Sequence, residues 1–155
     1  MKRKTIGGKP YILYPDGILI PALLVQEARS KVHTPKDVMP LLQSEAHAKQ
    51  EHVVLFTLDG NNQIIQKHSV TVGLVNQCQI HPREIFRPAI LDAAVSILVA
   101  HNHPSGNLEA SESDLVATRR LVDVSKTIGI PLLDHVIVGQ SGFLSIREKY
   151  PNYFN

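Results

Sequence analysis

Among 155 residues there is a single cysteine, Cys78, so no intrachain disulfide can form and a thiolate zinc cluster is excluded. Charge of one sign is also scarce: 16 Lys and Arg against 14 Asp and Glu leave a formal net charge of +2. That balance gives no electrostatic footprint for nucleic acid. The densest basic cluster, Lys2-Arg3-Lys4, reads as a solvated terminus rather than a DNA-binding arm. No apolar stretch approaches the roughly 20 residues that span a bilayer. No apolar core follows the basic N-terminus, so a secretory signal is not expected and the cytoplasm is the expected compartment. What is present is the mix of a soluble folded domain: 43% hydrophobic and 19% charged residues, in a length that suits one core.

The order of periodic segments predicts a mixed α/β domain. A short hairpin is expected around Asp16-Gly17, joining 11–14 to 18–20, followed by a helix over 21–32. A second helix opens at Thr34-Pro35, an N-cap with proline at the first helical position, and carries Val38, Leu41 and Leu42 on one face. The apolar run 53–58 fits a central strand and 63–72 its return, across a turn at Asp59-Gly60. A helix from His81 to Ala93 and a buried strand over 93–100 come next. Another helix spans 111–128 and stops at Gly129, with Pro131 two residues beyond. Strands over 132–138 and 143–146 close the chain. Interleaved strands and helices predict a mixed sheet with helices on both faces. The expected organisation is an extension at 1–33 and a single domain at 34–155.

The chemistry concentrates in His101-Asn102-His103-Pro104-Ser105-Gly106, followed by Ser111-Glu112-Ser113-Asp114. On a strand, residues i and i+2 leave the same face, roughly 7 Å apart at the backbone. His101 and His103 so placed can converge on one metal ion at about 2.0–2.1 Å each. Pro104-Ser105-Gly106 bends the chain, and the loop is long enough to return the next helix's N-terminus over the strand end. Asp114 at the third helical position then adds a carboxylate, kept anionic by the helix dipole. Three such ligands with an open fourth position suit metal-assisted hydrolysis. Each half has a plain alternative. Paired histidines on a strand are common, and Ser111-x-x-Asp114 is also how a capped helix begins.

Taken together, His101-x-His103, ten residues and Asp114, with Ser111 three before it, resemble the JAMM motif of JAB/MPN-domain metalloproteases. Ala100-His101-Asn102-His103-Pro104-Ser105-Gly106, Pro82-Arg83-Glu84-Ile85 and Leu132-Leu133-Asp134-His135-Val136-Ile137 resemble its bacterial RadC branch. The similarity extends over roughly 34–148. Asn102 departs from the Ser or Thr typical of eukaryotic members. Longer RadC-like proteins carry an N-terminal helix-hairpin-helix-like region that this sequence does not include. The resemblance implies a three-layer sandwich similar to cytidine deaminases, with Zn2+ at a strand–helix junction. Deaminase chemistry is disfavoured because the His-x-Glu and Pro-Cys-x-x-Cys elements are absent.

A JAMM site also implies a glutamate near the metal that serves as general base. Glu51, immediately before the apolar strand, is the choice. Glu45 in the preceding helix is its rival, while Glu84, Glu109 and Glu112 read as helix-start or loop charges. The resemblance gives Ser111 a second role, donating to the developing oxyanion; capping and catalysis then compete for one hydroxyl. His135, in an apolar strand, reads as a core group or one that orients a ligand. His33, His47, His52, His68 and His81 show no metal spacing.

The leading expectation is a zinc-dependent hydrolase of peptide or isopeptide bonds, acting on a protein or peptide substrate, with loop 74–80 contributing to specificity. The alternative is a catalytically silent JAB/MPN binding module linked to DNA repair. An intact ligand set argues against silence. A nuclease is a third reading, but adjacent His-Asn-His is not the spread pattern of HNH enzymes.

Overall fold

The computed structural model describes residues 2–6, 9–13, 17–21, 30–73 and 80–155. The chain divides into two compact units, Met1–Ser30 and Lys31–Asn155. In the first, β1 (Lys2–Ile6), β2 (Lys9–Leu13) and β3 (Leu19–Pro21) form an antiparallel sheet in that order. Leu13 pairs with Leu19, as a hairpin around Asp16-Gly17 requires, although its turn at 14–16 lies outside the described residues. Lys2-Arg3-Lys4 lies in β1, with Lys4 opposite Tyr11. The helix expected over 21–32 falls largely on 22–29, outside the described residues. Its flanks are not helical, since Pro21 ends β3 and Lys31 pairs with Gln63 in an isolated bridge.

The second unit is built on a five-stranded sheet ordered β5-β4-β6-β7-β8. Its strands are β4 (Glu51–Leu58), β5 (Ile64–Gly73), β6 (Ser96–Asn102), β7 (Leu132–Gly139) and β8 (Gly142–Ser145). All neighbours are antiparallel except β6 and β7, which run parallel. A parallel pair needs a crossover, and α3 (Glu112–Ile128) supplies it. Side chains alternate between two cores. Val53, Leu55, Ile97 and Val99 pack with Ile85, Phe86 and Ala89 of α2 (Pro82–Leu91) and with Leu121 and Val122 of α3. Val54, Phe56, Leu98, Ala100, Val136 and Val138 pack on the other side with Val38 and Leu42 of a 3-10 helix, Pro35–Leu42, and Ala46 of α1 (Gln43–Ala46). The result is the three-layer α/β arrangement, helical segments on both faces of a mixed sheet. Both faces being covered explains why β6 is buried along its whole length. A short α4 (Ile146–Lys149) and a 3-10 turn, Pro151–Phe154, follow β8.

Two boundaries differ from expectation. The segment at 34 begins as a 3-10 helix with a Thr34–Asp37 capping box, and only its end is α-helical. Pro40, which lacks an N–H and so cannot make an α-helical i→i−4 bond, sits inside this tighter 3-10 stretch. Ala93 belongs neither to α2 nor to β6. It adopts φ 51, and the Ala93 and Ala94 amides return to the carbonyls of Ile90 and Ala89. This is a Schellman reversal made without the usual glycine, and it delays β6 to Ser96. At the other end β6 runs through His101 and Asn102, which sets the position of the histidines.

Candidate metal centre

His101 is the last buried position of β6 on the α2/α3 face, two residues beyond Val99 of that core. His103 follows the strand, and its amide continues the pairing by donating to the Val138 carbonyl at 3.3 Å. The turn closes with Gly106, at φ 78, donating to the His103 carbonyl at 2.9 Å. Leu108 then lies against the β7–β8 turn, where a Cβ on Gly139 would meet it at 3.0 Å. Asp114 arrives from α3, whose buried stripe reads Asp114, Thr118, Leu121, Val122, Ser125 at helical spacing. The apolar part of that stripe packs on the sheet, and its polar first turn covers the strand end.

The three side chains meet. His101 Nε2 lies 3.2 Å from Asp114 Oδ1, His103 Nε2 lies 3.3 Å from Asp114 Oδ2, and the two Nε2 atoms are 3.0 Å apart. His101 and Asp114 are buried, and His103 is the most exposed of the three. The second ring nitrogen of each histidine is engaged elsewhere: His103 Nδ1 donates to the Asn107 carbonyl at 2.7 Å, and His101 Nδ1 lies 2.7 Å from His135 Nε2. Asp114 Oδ2 accepts from the Ser111 amide at 2.8 Å and the Ser111 hydroxyl at 2.7 Å. Burial opposes charge on Asp114, yet the adjoining His101 and His103 rings and the Ser111 hydroxyl hold its carboxyl far below the ordinary carboxylate range. The same Asp114 contact, against burial, raises His103, with the charge of Glu51 adding to the effect.

This geometry suits a divalent cation. Ligands at 2.0–2.1 Å on a tetrahedral ion stand roughly 3.3 Å from one another, close to the three separations seen here. Each converging atom can act as an acceptor toward one shared position, which is the donor set a metal cation takes. Among the described residues these three form the one group of three or more His, Cys, Asp or Glu side chains positioned to hold a metal ion.

The glutamates separate by face. Glu51 opens β4 and is buried; two residues before Val53, the partner of His101, it leaves the sheet on the His101 side. Glu45 pairs with Lys67 Nζ at 2.8 Å and takes the Ser44 hydroxyl at 2.7 Å. Lys67 is opposite Phe56, which belongs to the other core. Glu45 therefore lies across the sheet from the histidines. Glu84 pairs with Arg83, Glu109 with Lys149, and Glu112 is exposed at the start of α3.

Ser111 is the N-cap of α3, and its hydroxyl is engaged in a capping box with Asp114 and lies 2.8 Å from Ser113 Oγ. Asn102 points to the opposite face. Its Oδ1 accepts from the His52 amide at 2.6 Å and its Nδ2 donates to the Gln50 carbonyl at 2.9 Å. Strand alternation, which sets His101 and His103 on one face, leaves Asn102 on the other, but gives no sign of this clamp on the residues flanking Glu51. Sequence reasoning also missed Thr118, whose only signal was a polar residue one turn after Asp114 on the buried stripe. Loop 74–79 lies outside the described residues.

The family model described as RadC-like JAB domain matches residues 32–151. The chain is 43% identical over 123 residues to a UPF0758 protein of Clostridium perfringens, covering 79% of this chain and 54% of that protein. A UPF0758 protein of Methanosarcina mazei is 36% identical over 126 residues, 81% of this chain and 55% of the relative. One from Bacillus cereus is 39% identical over 127 residues, 81% and 56% respectively. The chain thus spans about half the length of the curated relatives it matches. No helix among the described residues is long and apolar enough to cross a membrane. With the three-layer fold, the His-x-His strand end and the capped aspartate in the matched segment, the chain belongs to the RadC-like JAB domain family.

Proposed function

We propose that this domain is a zinc-dependent hydrolase of peptide or isopeptide bonds. The observation that carries the reading is the convergence of His101, His103 and Asp114 at 3.0–3.3 Å, with Glu51 on the same face of the sheet. His101 Nε2, His103 Nε2 and an Asp114 oxygen would hold the ion. When bound, zinc supplies Lewis acidity, which acidifies water and polarises a carbonyl. Glu51 takes the proton of the attacking water on its carboxylate and returns it to the departing amine. Ser111 fixes the Asp114 carboxylate through its amide and hydroxyl. In the resembling family that hydroxyl faces the reacting carbonyl; here it would have to leave Asp114 Oδ2 to donate to an oxyanion. His103, the most exposed member, faces the side from which a protein or peptide substrate reaches the centre.

Elemental analysis of the purified chain tests the proposal. One zinc per chain is expected, lost in the His101→Ala/His103→Ala double variant. Unchanged zinc in that variant would move the ion away from this site. A loaded chain that cleaves no member of a broad peptide and isopeptide panel would overturn the hydrolase reading.

A further inference from the structure

Behind the three converging atoms lies a second run of polar contacts that the proposed chemistry does not use. His135, on β7, is fully buried, and its ring bridges two partners: His101 Nδ1 at 2.7 Å on one side and Thr118 Oγ1 at 2.6 Å on the other. Thr118 Oγ1 is also 2.7 Å from the Asp114 backbone carbonyl. We infer that Thr118 and His135 are positioning residues that hold His101 as its Nδ1–H tautomer and so aim its Nε2 lone pair at the metal position.

The direction of every proton follows from the carbonyl. An oxygen–oxygen separation of 2.7 Å holds a proton, and a carbonyl has none to give, so the Thr118 hydroxyl donates to Asp114. With its one proton spent there, Thr118 Oγ1 can only accept, and His135 Nδ1 must carry the N–H that points at it. His135 is fully buried, and a charged ring taken out of water is costly, so the ring is neutral and Nε2 keeps a lone pair. The 2.7 Å contact to His101 is then filled from the other side, by His101 Nδ1–H. The remaining His101 nitrogen, Nε2, is left as an acceptor facing Asp114 and His103. Metal-ligating histidines usually donate their outer N–H to a carboxylate, a carbonyl or water. Here a neutral histidine takes that place, and it is a reliable acceptor only because Thr118 fixes which nitrogen bears its proton.

The functional consequence rests on the metal-site reading above, but the tautomer does not, so the two fail separately. Ring-nitrogen NMR on the metal-free full chain, at about pH 8.5 where ordinary histidines are neutral, should show His101 and His135 both as Nδ1–H. Thr118→Val is close in shape but removes the acceptor. It should release His135 to its other tautomer, give mixed forms at His101 and weaken zinc binding by roughly 10–100-fold, the usual worth of such a supporting contact. Thr118→Ser restores the hydroxyl and should restore both readouts. His135→Phe should also weaken zinc, and the Thr118 pair decides the matter if that variant does not fold. His101 found as Nε2–H in the wild type, or unchanged tautomers in Thr118→Val, would overturn the inference. A wild type with the expected tautomers that binds no zinc would instead remove the metal-site reading and leave the relay standing.

Discussion

The Asn102 side chain accepts the His52 amide proton at 2.6 Å and donates to the Gln50 carbonyl at 2.9 Å, so it grips the backbone on both sides of Glu51. A single buried amide thus ties the segment that carries the proposed base to the strand that carries His101. Asn102→Ala leaves a buried N–H and a buried carbonyl without their partner, which should cost about 2–4 kcal/mol, measured by urea denaturation. Asn102→Asp turns the donor into an acceptor against the Gln50 carbonyl and should cost at least as much. Stability within about 0.5 kcal/mol of wild type for both would mean the contacts are easily replaced by water.

Glu51→Gln keeps size and hydrogen bonding but cannot accept a proton. Zinc content should be retained while turnover falls roughly 10²–10⁴-fold. Glu45→Gln, across the sheet and paired with Lys67, should leave turnover within about twofold of wild type by the same reasoning. Comparable losses in the two variants would remove Glu51 from the mechanism.

Zinc binding and pH should be linked through His103. Its pKa is raised above 6.5, chiefly by Asp114, and its proton must leave before Nε2 can ligate. Chelator competition should show affinity falling about tenfold per pH unit below the raised value, while Asp114, held low, stays ionised throughout. The metal-free chain should trend oppositely. A raised histidine contributes stability that is complete below 6.5 and lost as pH rises through the higher folded value. Melting temperatures of loaded and metal-free chains between about pH 6 and 8 should therefore diverge; parallel curves would sink this linkage.

At the other end of β4 a second cluster affects stability alone. Asp92, at the end of α2, lies 2.6 Å from His68 Nε2 and 2.7 Å from the Thr57 hydroxyl. Burial opposes its charge, but these hydrogen bonds outweigh burial and lower its pKa below 3.8. The contribution is present above 3.8 and lost as pH falls through the folded value. Asp92→Ala should cost about 1–2 kcal/mol at neutral pH, and the gap from wild type should narrow in acid. A gap that stays constant to about pH 2.5 would assign the loss to packing.

The central sheet was legible because β4 and β6 are apolar runs bounded by turn residues, and Gly129 marks the end of α3. The convergence of His101, His103 and Asp114 was legible because strand and helix periodicity together leave few places for their side chains. The relay was not legible. Thr118 and His135 are 17 residues apart and meet only because β6 and β7 run parallel with α3 crossing between them. The Ala93 reversal was hidden for a different reason: any residue with a side chain resists that conformation, so sequence gives no sign that an alanine adopts it.

His101, His103, Asp114, Thr118 and His135 all belong to one strand–helix–strand crossover, β6-α3-β7, whereas Glu51 comes from β4 on the far side of β6. Contacts close in sequence assemble more readily than distant ones. The proposed cradle thus draws on one continuous stretch, while the proposed base comes from a separate strand. Under the proposed chemistry, loading and activity become separable events in the life of the molecule. A nascent chain, or one whose β4 has locally opened, could carry its full zinc and remain inert. Metal content alone would then overstate the fraction of working enzyme in a preparation.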